Sequence, residues 1–592
     1  MPSDMVHSQQ PSVPIAPSSA EWWRGAVIYQ IYPRSFQDSD GDGVGDLPGV
    51  LQRLDHIAAL GADAVWISPF FKSPMKDFGY DVADYRQVDP LFGTLADFDA
   101  VLGKAHALGL RVMIDQVLSH TSDQHAWFQQ SRASRDNPYA DWYVWADARA
   151  DGTPPNNWLS VFGGSAWTWD ARRRQYYLHQ FLAEQPDLNF HNPAVRAQLL
   201  DEVRFWCERG VDGFRFDACN HQFSDAQLRD NPPARAGEVV STVSADNPYA
   251  MQRHLYDKSR PENLPFLEEL RAVLDVHGAA AMGEVGDEDA PPIMAEYTAS
   301  GRRLHMAYSF ALVTRDGSAA HIRHEVERLT AALARTDGWG CWAFSNHDSE
   351  RVATRWALPQ ADGTAGRPQP AQCRMLWALL SALPGSVCVY QGEELGLPQA
   401  DVPFELLQDP YGKAFWPEFK GRDGCRTPMP WQRDAVHGGF TAAQAVPWLP
   451  MPAEHRALAV DVQAAQPDSM LRFASQWLAW RRTQPLLRSG GIRFHDHAAP
   501  PGVLLFERHA PIASAHDGAP ADSPPSLLLA VNLSAAVQHV SLSAVADAAV
   551  WHDVTPACVH EAGLAPEPGA PSGVWVLPPW GIGVGLFVAR GA

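Results

Sequence analysis

The sequence predicts an α/β chain: a (β/α)8 (TIM) barrel with a small domain inserted after its third strand and a C-terminal antiparallel β-sandwich. Three observations predict it. Eight short runs of β-branched and aromatic residues recur with helical patterns between them, the signature of a closed parallel barrel. The alternation breaks from about Leu118 to Pro186, which is room for a small insertion. Past about residue 490 the texture changes to alternating strands with no helices between them.

The eight runs are VIYQIY at 27–32, AVWIS at 64–68, RVMIDQV at 111–117, GFRFDA at 213–218, AAAMGEV at 279–285, HMAYSF at 305–310, GCWAFS at 340–345 and GSVCVY at 385–390. Continuous apolar runs of this length are buried strands. Between the first two lies DLPGVLQRLDHIAALGA, where Leu51, Leu54, Ile57 and Leu60 recur near the helical period behind an Asp cap. The C-terminal strands are VLLFERH, SLLLAVNL, VQHVSLS and GVGLFVA, with PIASAHDGAPADSPPS among them as a loop. The division expected is a flexible N-terminal tail at 1–21, the barrel at 22–117 and 187–488, the inserted domain at 118–186 and the sandwich at 489–592.

At 592 residues the chain is too long for one core, which suits this division. A formal charge of -21 with no basic stripe excludes nucleic acid as a partner, because nothing would neutralise phosphates. Seven cysteines, an odd number without ligand-like spacing, read as reduced thiols. The N-terminus lacks a cationic start followed by an apolar core, and no stretch reaches membrane-spanning length. These features together place the expected protein in the cytoplasm. Twenty-two tryptophans offer flat faces for sugar C–H surfaces, although large aromatics are mostly core.

Strand alternation in GFRFDA puts Phe214 and Phe216 on one face and Arg215 and Asp217 on the other, so the charged face must look into the barrel. Arg215 beside Asp217 favours an ionised carboxylate, as a nucleophile requires; a purely structural ion pair is the competing reading. Glu284 ends the next strand, and two carboxylates on neighbouring strands can flank one glycosidic bond, a separation of roughly 5–5.5 Å meaning retention of configuration. Asp348 and His347 follow the seventh strand, and Asp115 and His120 lie in IDQVLSHTS at the third. Polar groups at four strand ends converge on one rim.

DQVLSH, GFRFDACN, GEV and FSNHD, in this order, resemble the four signature regions of glycoside hydrolase family 13, the α-amylase family. AVIYQIYPRSF, DFGYDVADY, QPDLNF, YQGEELGL and RDGCRTPMPW extend the resemblance over roughly residues 22–592, towards the α-glucosidase and oligosaccharide-acting branch. The resemblance implies that Asp217 attacks the anomeric carbon, Glu284 is the acid/base, and Asp348 grips sugar hydroxyls. It further implies that His120, His347 and Arg215 line the first glucose subsite, that Tyr80 stacks on that ring, and that Asp77 pairs with Arg426 to close the far end, which makes the enzyme exo-acting. Phe162 and Phe181 resemble aromatic walls of the entrance, with ordinary core as the alternative.

Asp38, Asp40, Asp42 and Asp46 in DSDGDGVGDL offer oxygens at alternate positions, with the Val44 carbonyl beside them, a spacing that wraps a hard cation. The loop starts like an EF-hand but Gly49 stands where the closing acid belongs. One structural Ca2+ or Mg2+ is expected, similar loops in the resembled branch binding such an ion; a self-satisfied Asp/Gly turn is the alternative. A second, amylase-type calcium is in doubt, because Ser119 occupies the place of an Asn that such sites use. No organic cofactor is expected.

Ala218 after the nucleophile resembles the α-1,4 pattern of the branch, in which Val goes with α-1,6. The expected function is thus a retaining exo-α-glucosidase acting on short, maltose-like α-glucosides, with transglucosylation. A dedicated α-glucosyltransferase or a sucrose isomerase is the alternative, though the RLDRD-like loop of isomerases is missing. A non-catalytic scaffold, the alternative of another class, conflicts with the three retained acids. Oligomeric state is open between monomer and dimer.

Overall fold

Residues that are apolar on both faces of a strand can be satisfied only by a sheet covered on both sides, and a closed barrel ringed by helices provides this. In the computed structural model, which describes residues 21–235, 243, 247–358, 366–510, 526–545, 550–568 and 573–588, each of the eight runs supplies one barrel strand. They are β1 (Val27–Ile31), β2 (Ala64–Ile67), β3 (Arg111–Val117), β4 (Gly213–Asp217), β5 (Ala280–Glu284), β6 (Met306–Ser309), β7 (Gly340–Trp342) and β8 (Ser386–Tyr390). Each pairs in parallel with the next, and β8 returns to β1 with Val27 opposite Val387.

The two faces of these strands have different companions. Ile28, Trp66, Met113, Met282, Met306 and Cys388 form one cluster, the barrel interior. Tyr29, Ile31, Val65, Ile114, Phe214 and Phe216 belong to a far larger cluster shared with the surrounding helices. With a side-chain period of two, the inward row continues from Ile28 to Gln30, from Met113 to Asp115, from Arg215 to Asp217 and from Met282 to Glu284. The interior is therefore apolar at the amino ends of the strands and polar at their carboxyl ends, which fixes where chemistry can occur.

Helix α1 (Leu47–Leu60) starts where Asp46 accepts from Gly49 N–H and stops at Gly61, whose φ of 97° is open to glycine at no steric cost. Val50, Leu54, Ile57 and Leu60 are buried, and Leu51 sits at the edge of that face, partly buried. Within 118–186 three short strands, Trp145–Ala146, Trp167–Asp170 and Gln175–Leu178, form an antiparallel sheet.

Beyond the barrel, Gly491–Phe494, Val503–His509, Ser526–Asn532, Ile582–Val588 and Val550–Asp553 form a five-stranded antiparallel sheet, and Gln538–Ser541 pairs with Val574–Leu577. The expectation of no helix here fails at Ala557–Glu561, a single helical turn too short to show a period. Most of the loop read at PIASAHDGAPADSPPS, and the N-terminal tail up to residue 20, lie outside the described residues. Arg508, fully buried on the C-terminal sheet, donates to five carbonyls, those of Ala382, Leu383, Leu487, Gly490 and Gly491. Ala382 and Leu487 belong to the helices Pro370–Ala382 and Pro485–Ser489, so one guanidinium takes up carbonyls left over at two helix ends and ties the sheet to the barrel.

Candidate active site

At the carboxyl rim, Arg215 is 1% exposed and serves three carboxylates. Its Nη1 donates to Asp115 Oδ1 at 2.8 Å and to Asp217 Oδ1 at 2.6 Å, and its Nη2 lies 2.6 Å from Glu284 Oε1. Strand register makes this possible, since Arg215 stands opposite Asp115 on β3 and Met282 on β5. Directly after Asp217 the chain turns through Ala218 in the left-handed region, φ 40°, a conformation that costs a non-glycine residue energy. That turn aims the Ala218 N–H at Glu284 Oε2, 2.8 Å away. Nucleophile and acid candidates are thus bracketed on one guanidinium and one peptide.

Burial pushes the Asp217 carboxyl up to about 7, against the pull of Arg215. Arg215 favours the ionised form of Asp217, as expected, but burial outweighs it, because the cation is divided among three anions in a dry site. Burial also lifts Glu284 to about 8, partly offset by Arg215 and reinforced by the charge on Asp217. The two carboxyls titrate as a pair raised by burial and tied to one cation, the arrangement in which one proton can be shared between an acid and a nucleophile. Burial raises Asp115 to about 6 against the pull of Arg215, and it accepts from Arg215, Tyr80 and Trp66.

Asp348 is desolvated, yet His347, Arg422 and Arg426 outweigh burial and hold its carboxyl well below the usual range. Arg426 Nη2 reaches Asp348 Oδ1 at 2.6 Å while its Nε donates to the His347 carbonyl. The partner of Asp77 is therefore not Arg426 but Arg422, whose Nη2 lies 2.8 Å from Asp77 Oδ1 and 2.8 Å from Asp409 Oδ1. Arg422 Nη1 also contacts Asp348 Oδ1 at 3.2 Å. Arg426 is already committed to the strand-seven loop, so only the arginine four residues earlier reaches across to Asp77. Sequence reasoning missed Arg422 and Asp409, although Arg422 opens the quoted motif RDGCRTPMPW.

The remaining expected residues surround this pair. His120 lies with Nε2 3.1 Å from Gln185 Nε2, which in turn donates to Asp77 Oδ2 at 3.3 Å. Tyr80 stacks against His347 with ring centroids 5.4 Å apart, and its hydroxyl donates to Asp115 Oδ2 at 3.1 Å. Phe181 packs 5.1 Å from His120, and Phe162 lies beneath the Arg422 guanidinium at 5.4 Å, 6.2 Å from Phe181. Both phenylalanines are half-buried, so they flank the ion-pair wall rather than filling core.

In the acidic loop, carboxylate oxygens of Asp38, Asp40 and Asp42 lie within 4.8 Å of one another, a donor set of hard oxygens suited to Ca2+ or Mg2+. The fourth carboxylate of the expected set, Asp46, is engaged otherwise: it accepts from Gly49 N–H at 2.6 Å and from Ser39 at 2.9 Å. Asp38 also accepts from Gly41 and Gly43 N–H, the self-satisfied geometry of the alternative reading. Val44 donates its N–H to Asp42, leaving its carbonyl as the atom of interest.

A raised acid and a second carboxylate sharing one buried arginine at the mouth of a (β/α)8 barrel define a glycosidase of the paired-carboxylate type. Residues 30–490 match the family model for the α-amylase catalytic domain, and the chain belongs to that family, glycoside hydrolase family 13. It is 57% identical over 484 residues to a probable α-glucosidase of Rhizobium meliloti, covering 80% of this chain and 85% of the relative. It is 37% identical over 525 residues to an oligo-1,6-glucosidase of Heyndrickxia coagulans, covering 82% and 90%. Among solved structures, an α-glucosyl transfer enzyme, XgtA, superimposes with a TM-score of 0.88 at 56% identity, covering 96% of this chain and 99% of that one. The trehalulose synthase MutB of Pseudomonas mesoacidophila MX-45 superimposes with a TM-score of 0.81 at 29% identity, covering 96% and 100%.

Proposed function

We propose that this chain is a retaining, exo-acting α-glucosidase that hydrolyses short α-glucosides, prefers α-1,4 linkages and transfers part of its glucosyl product to other acceptors. The observation that carries the reading is the bracketing of Arg215 between Asp217 and Glu284, with Asp77 and Arg422 walling off the other side. In the first step an Asp217 oxygen bonds to the anomeric carbon as the glycosidic bond breaks, and Glu284 gives its proton to the departing oxygen. Glu284, now ionised, then takes a proton from water, whose oxygen displaces the Asp217 ester and regenerates both carboxyls. Asp348, kept ionised by Arg422 and Arg426, favours the positive charge that develops on the sugar.

The α-1,4 preference rests on Ala218 and its resemblance to the maltose-acting pattern; the names of the relatives include both a maltase and oligo-1,6-glucosidases. A transferase reading is favoured by the 56% identity to a glucosyl transfer enzyme. We further propose that Asp38, Asp40 and Asp42, with the Val44 carbonyl and with Asp46 behind them, hold one structural Ca2+ or Mg2+ remote from the chemistry. Cytoplasmic placement is supported by seven buried free cysteines. Among the described residues no helix is long and apolar enough to cross a membrane.

Maltose, isomaltose, sucrose, trehalose and soluble starch, followed for released glucose and for new oligosaccharides with Asp217→Asn as control, test the reading. Rapid glucose release from maltose, little from isomaltose or starch, and silence in the variant are expected. Oligosaccharides in place of glucose would move the assignment to a transferase, and wild-type inactivity on every α-glucoside would remove it.

A further inference from the structure

His347 is wholly buried, its ring stacked between Tyr32 at 5.7 Å and Tyr80 at 5.4 Å. Its two nitrogens face opposite environments. Nδ1 lies 2.7 Å from the side-chain amide of Gln30, an inward residue of β1 that takes no part in the chemistry described above. Nε2 faces the Tyr80 hydroxyl and Asp348 Oδ2, the latter at 3.2 Å.

Counting hydrogens assigns the roles. A phenol has one hydrogen, and an ionised carboxylate can only accept. Tyr80 lies 3.1 Å from Asp115 Oδ2, a carboxylate that also accepts from Arg215 and Trp66. The phenol hydrogen belongs to Asp115, so the phenol oxygen is free to accept from His347 Nε2. Asp348, held ionised by Arg422 and Arg426, requires a hydrogen on the same nitrogen. The reverse arrangement sets lone pair against lone pair at both contacts.

Burial, with Arg426, Arg215 and Arg422 against the pull of Asp348, pushes the imidazole down to about 3, so the ring carries a single hydrogen. Nδ1 then bears a lone pair that must be given a donor. The oxygen and nitrogen of an amide have the same shape, and the network decides between them: the Gln30 nitrogen faces Nδ1. The other polar contact of that nitrogen is Ser68 Oγ at 3.3 Å.

We propose that Gln30 is a positioning residue that fixes His347 as the Nε2–H tautomer, so that the ring presents its donor towards Tyr80 and Asp348. The catalytic consequence rests on the α-glucosidase reading, but the tautomer itself does not. The chain of donors runs from Gln30 through His347 and Tyr80 to Asp115, and Asp115 meets the arginine that both reacting carboxylates share. A residue on β1 thereby orients groups carried by β3 and by the loops after β2 and β7. The charged and titratable groups facing the ring are Asp348, Arg422 and Arg426 from the late loops, Arg215 from β4, Asp115 from β3, Tyr80, and Tyr32 from the end of β1.

Neutron diffraction from deuterium-exchanged crystals of the unaltered protein reads the tautomer directly. Deuterium on Nε2 and none on Nδ1 is expected; deuterium on Nδ1 would overturn the proposal. Two near-isosteric variants supply the functional test. Gln30→Glu, once ionised, offers only acceptors, so above its own pKa it takes a hydrogen from Nδ1 and draws the ring towards the charged form. The expected result is a fall in kcat/KM on maltose of about tenfold or more, with a new ionisation at roughly pH 5–8. Gln30→Met removes the donor without adding charge, and a smaller fall with no new ionisation is expected. A folded Gln30→Glu with the wild-type pH profile and kcat/KM would overturn the proposal; if that variant does not fold, the neutron measurement decides. Inactivity of the wild type on every α-glucoside would instead strike the enzymatic reading and leave the tautomer assignment standing.

Discussion

Replacing Arg422 with Met deletes a cation that touches three carboxylates at once. Its Nη2 contacts Asp77 and Asp409 at 2.8 Å each, its Nε meets Asp409 at 3.1 Å, and its Nη1 meets Asp348 at 3.2 Å. Asp409 is fully buried, and although burial alone would raise its carboxyl, Arg422 holds it at about 2. Removing one partner of such a pair leaves an uncompensated charge and costs about 3–5 kcal/mol. Part of this relaxes by protonation of Asp409, so the stability deficit is expected to grow with rising pH. In catalysis, Asp77 and Asp348 both lose a fixed partner. Charge-assisted hydrogen bonds of about 1.5–3 kcal/mol each imply a fall in kcat/KM of roughly ten- to a hundredfold, carried mainly by KM. Chemical unfolding at pH 5 and pH 8, with initial rates on maltose, measures both effects. A variant within twofold of wild type in kcat/KM, beside an Arg426→Met variant that loses the glucose-binding end, would refute the assignment of the wall to Arg422.

Other consequences follow from the same geometry. For the free enzyme, kcat/KM should fall below about pH 7 as Asp217 protonates and above about pH 8 as Glu284 ionises, a narrow bell whose alkaline limb disappears in Glu284→Gln with a substrate that needs no acid. Because the folded pKa of Asp217 is raised above its unfolded value, its neutral form favours the native state; that stability is present below about pH 4 and lost as pH passes 7. Asp217→Asn should therefore stabilise the protein at pH 8 and not at pH 4, as thermal unfolding at the two pH values would show. Chelation, or Asp40→Ala, should lower the unfolding temperature, with Ca2+ or Mg2+ restoring it for the wild type alone and kcat/KM on maltose unchanged. Identical melting with and without chelator would contradict the cation site. Arg508→Ala leaves five carbonyls, four of them buried, without their shared donor. With about 1–3 kcal/mol for each group left unsatisfied, it should cost more than about 3 kcal/mol and expose the junction near Gly490 to proteolysis.

The barrel was legible because its strands are buried on both sides and so appear as unbroken apolar runs. The position of Asp217 and Glu284 was legible because a period of two extends the inward row from Met282 to Glu284 and from Arg215 to Asp217. What the sequence could not show lies where no periodicity operates. Arg422 and Arg426 stand four apart in an irregular loop after β8, with a one-turn 3-10 segment between them, and only the path of that loop decides which one reaches Asp77. The raised pKa of Asp217 was equally hidden, because it depends on burial at the barrel mouth and on the Asp115 charge that shares Arg215 from the neighbouring strand. Gln30 lay unnoticed inside VIYQIY, since a single polar residue in an apolar run reveals its role only when its partner, more than three hundred residues away, is in place.

The central claim, that Asp217 carries the glucosyl group covalently while Glu284 moves the proton, is tested most directly by trapping. Glu284→Gln treated with α-glucosyl fluoride, whose leaving group needs no proton, should accumulate the ester because no base remains to activate water. Proteolysis and mass spectrometry should find one hexosyl group on the peptide that contains Asp217, and a glucose product of retained configuration from the wild type. A hexosyl group on another residue, or a wild-type product of inverted configuration, would contradict the account.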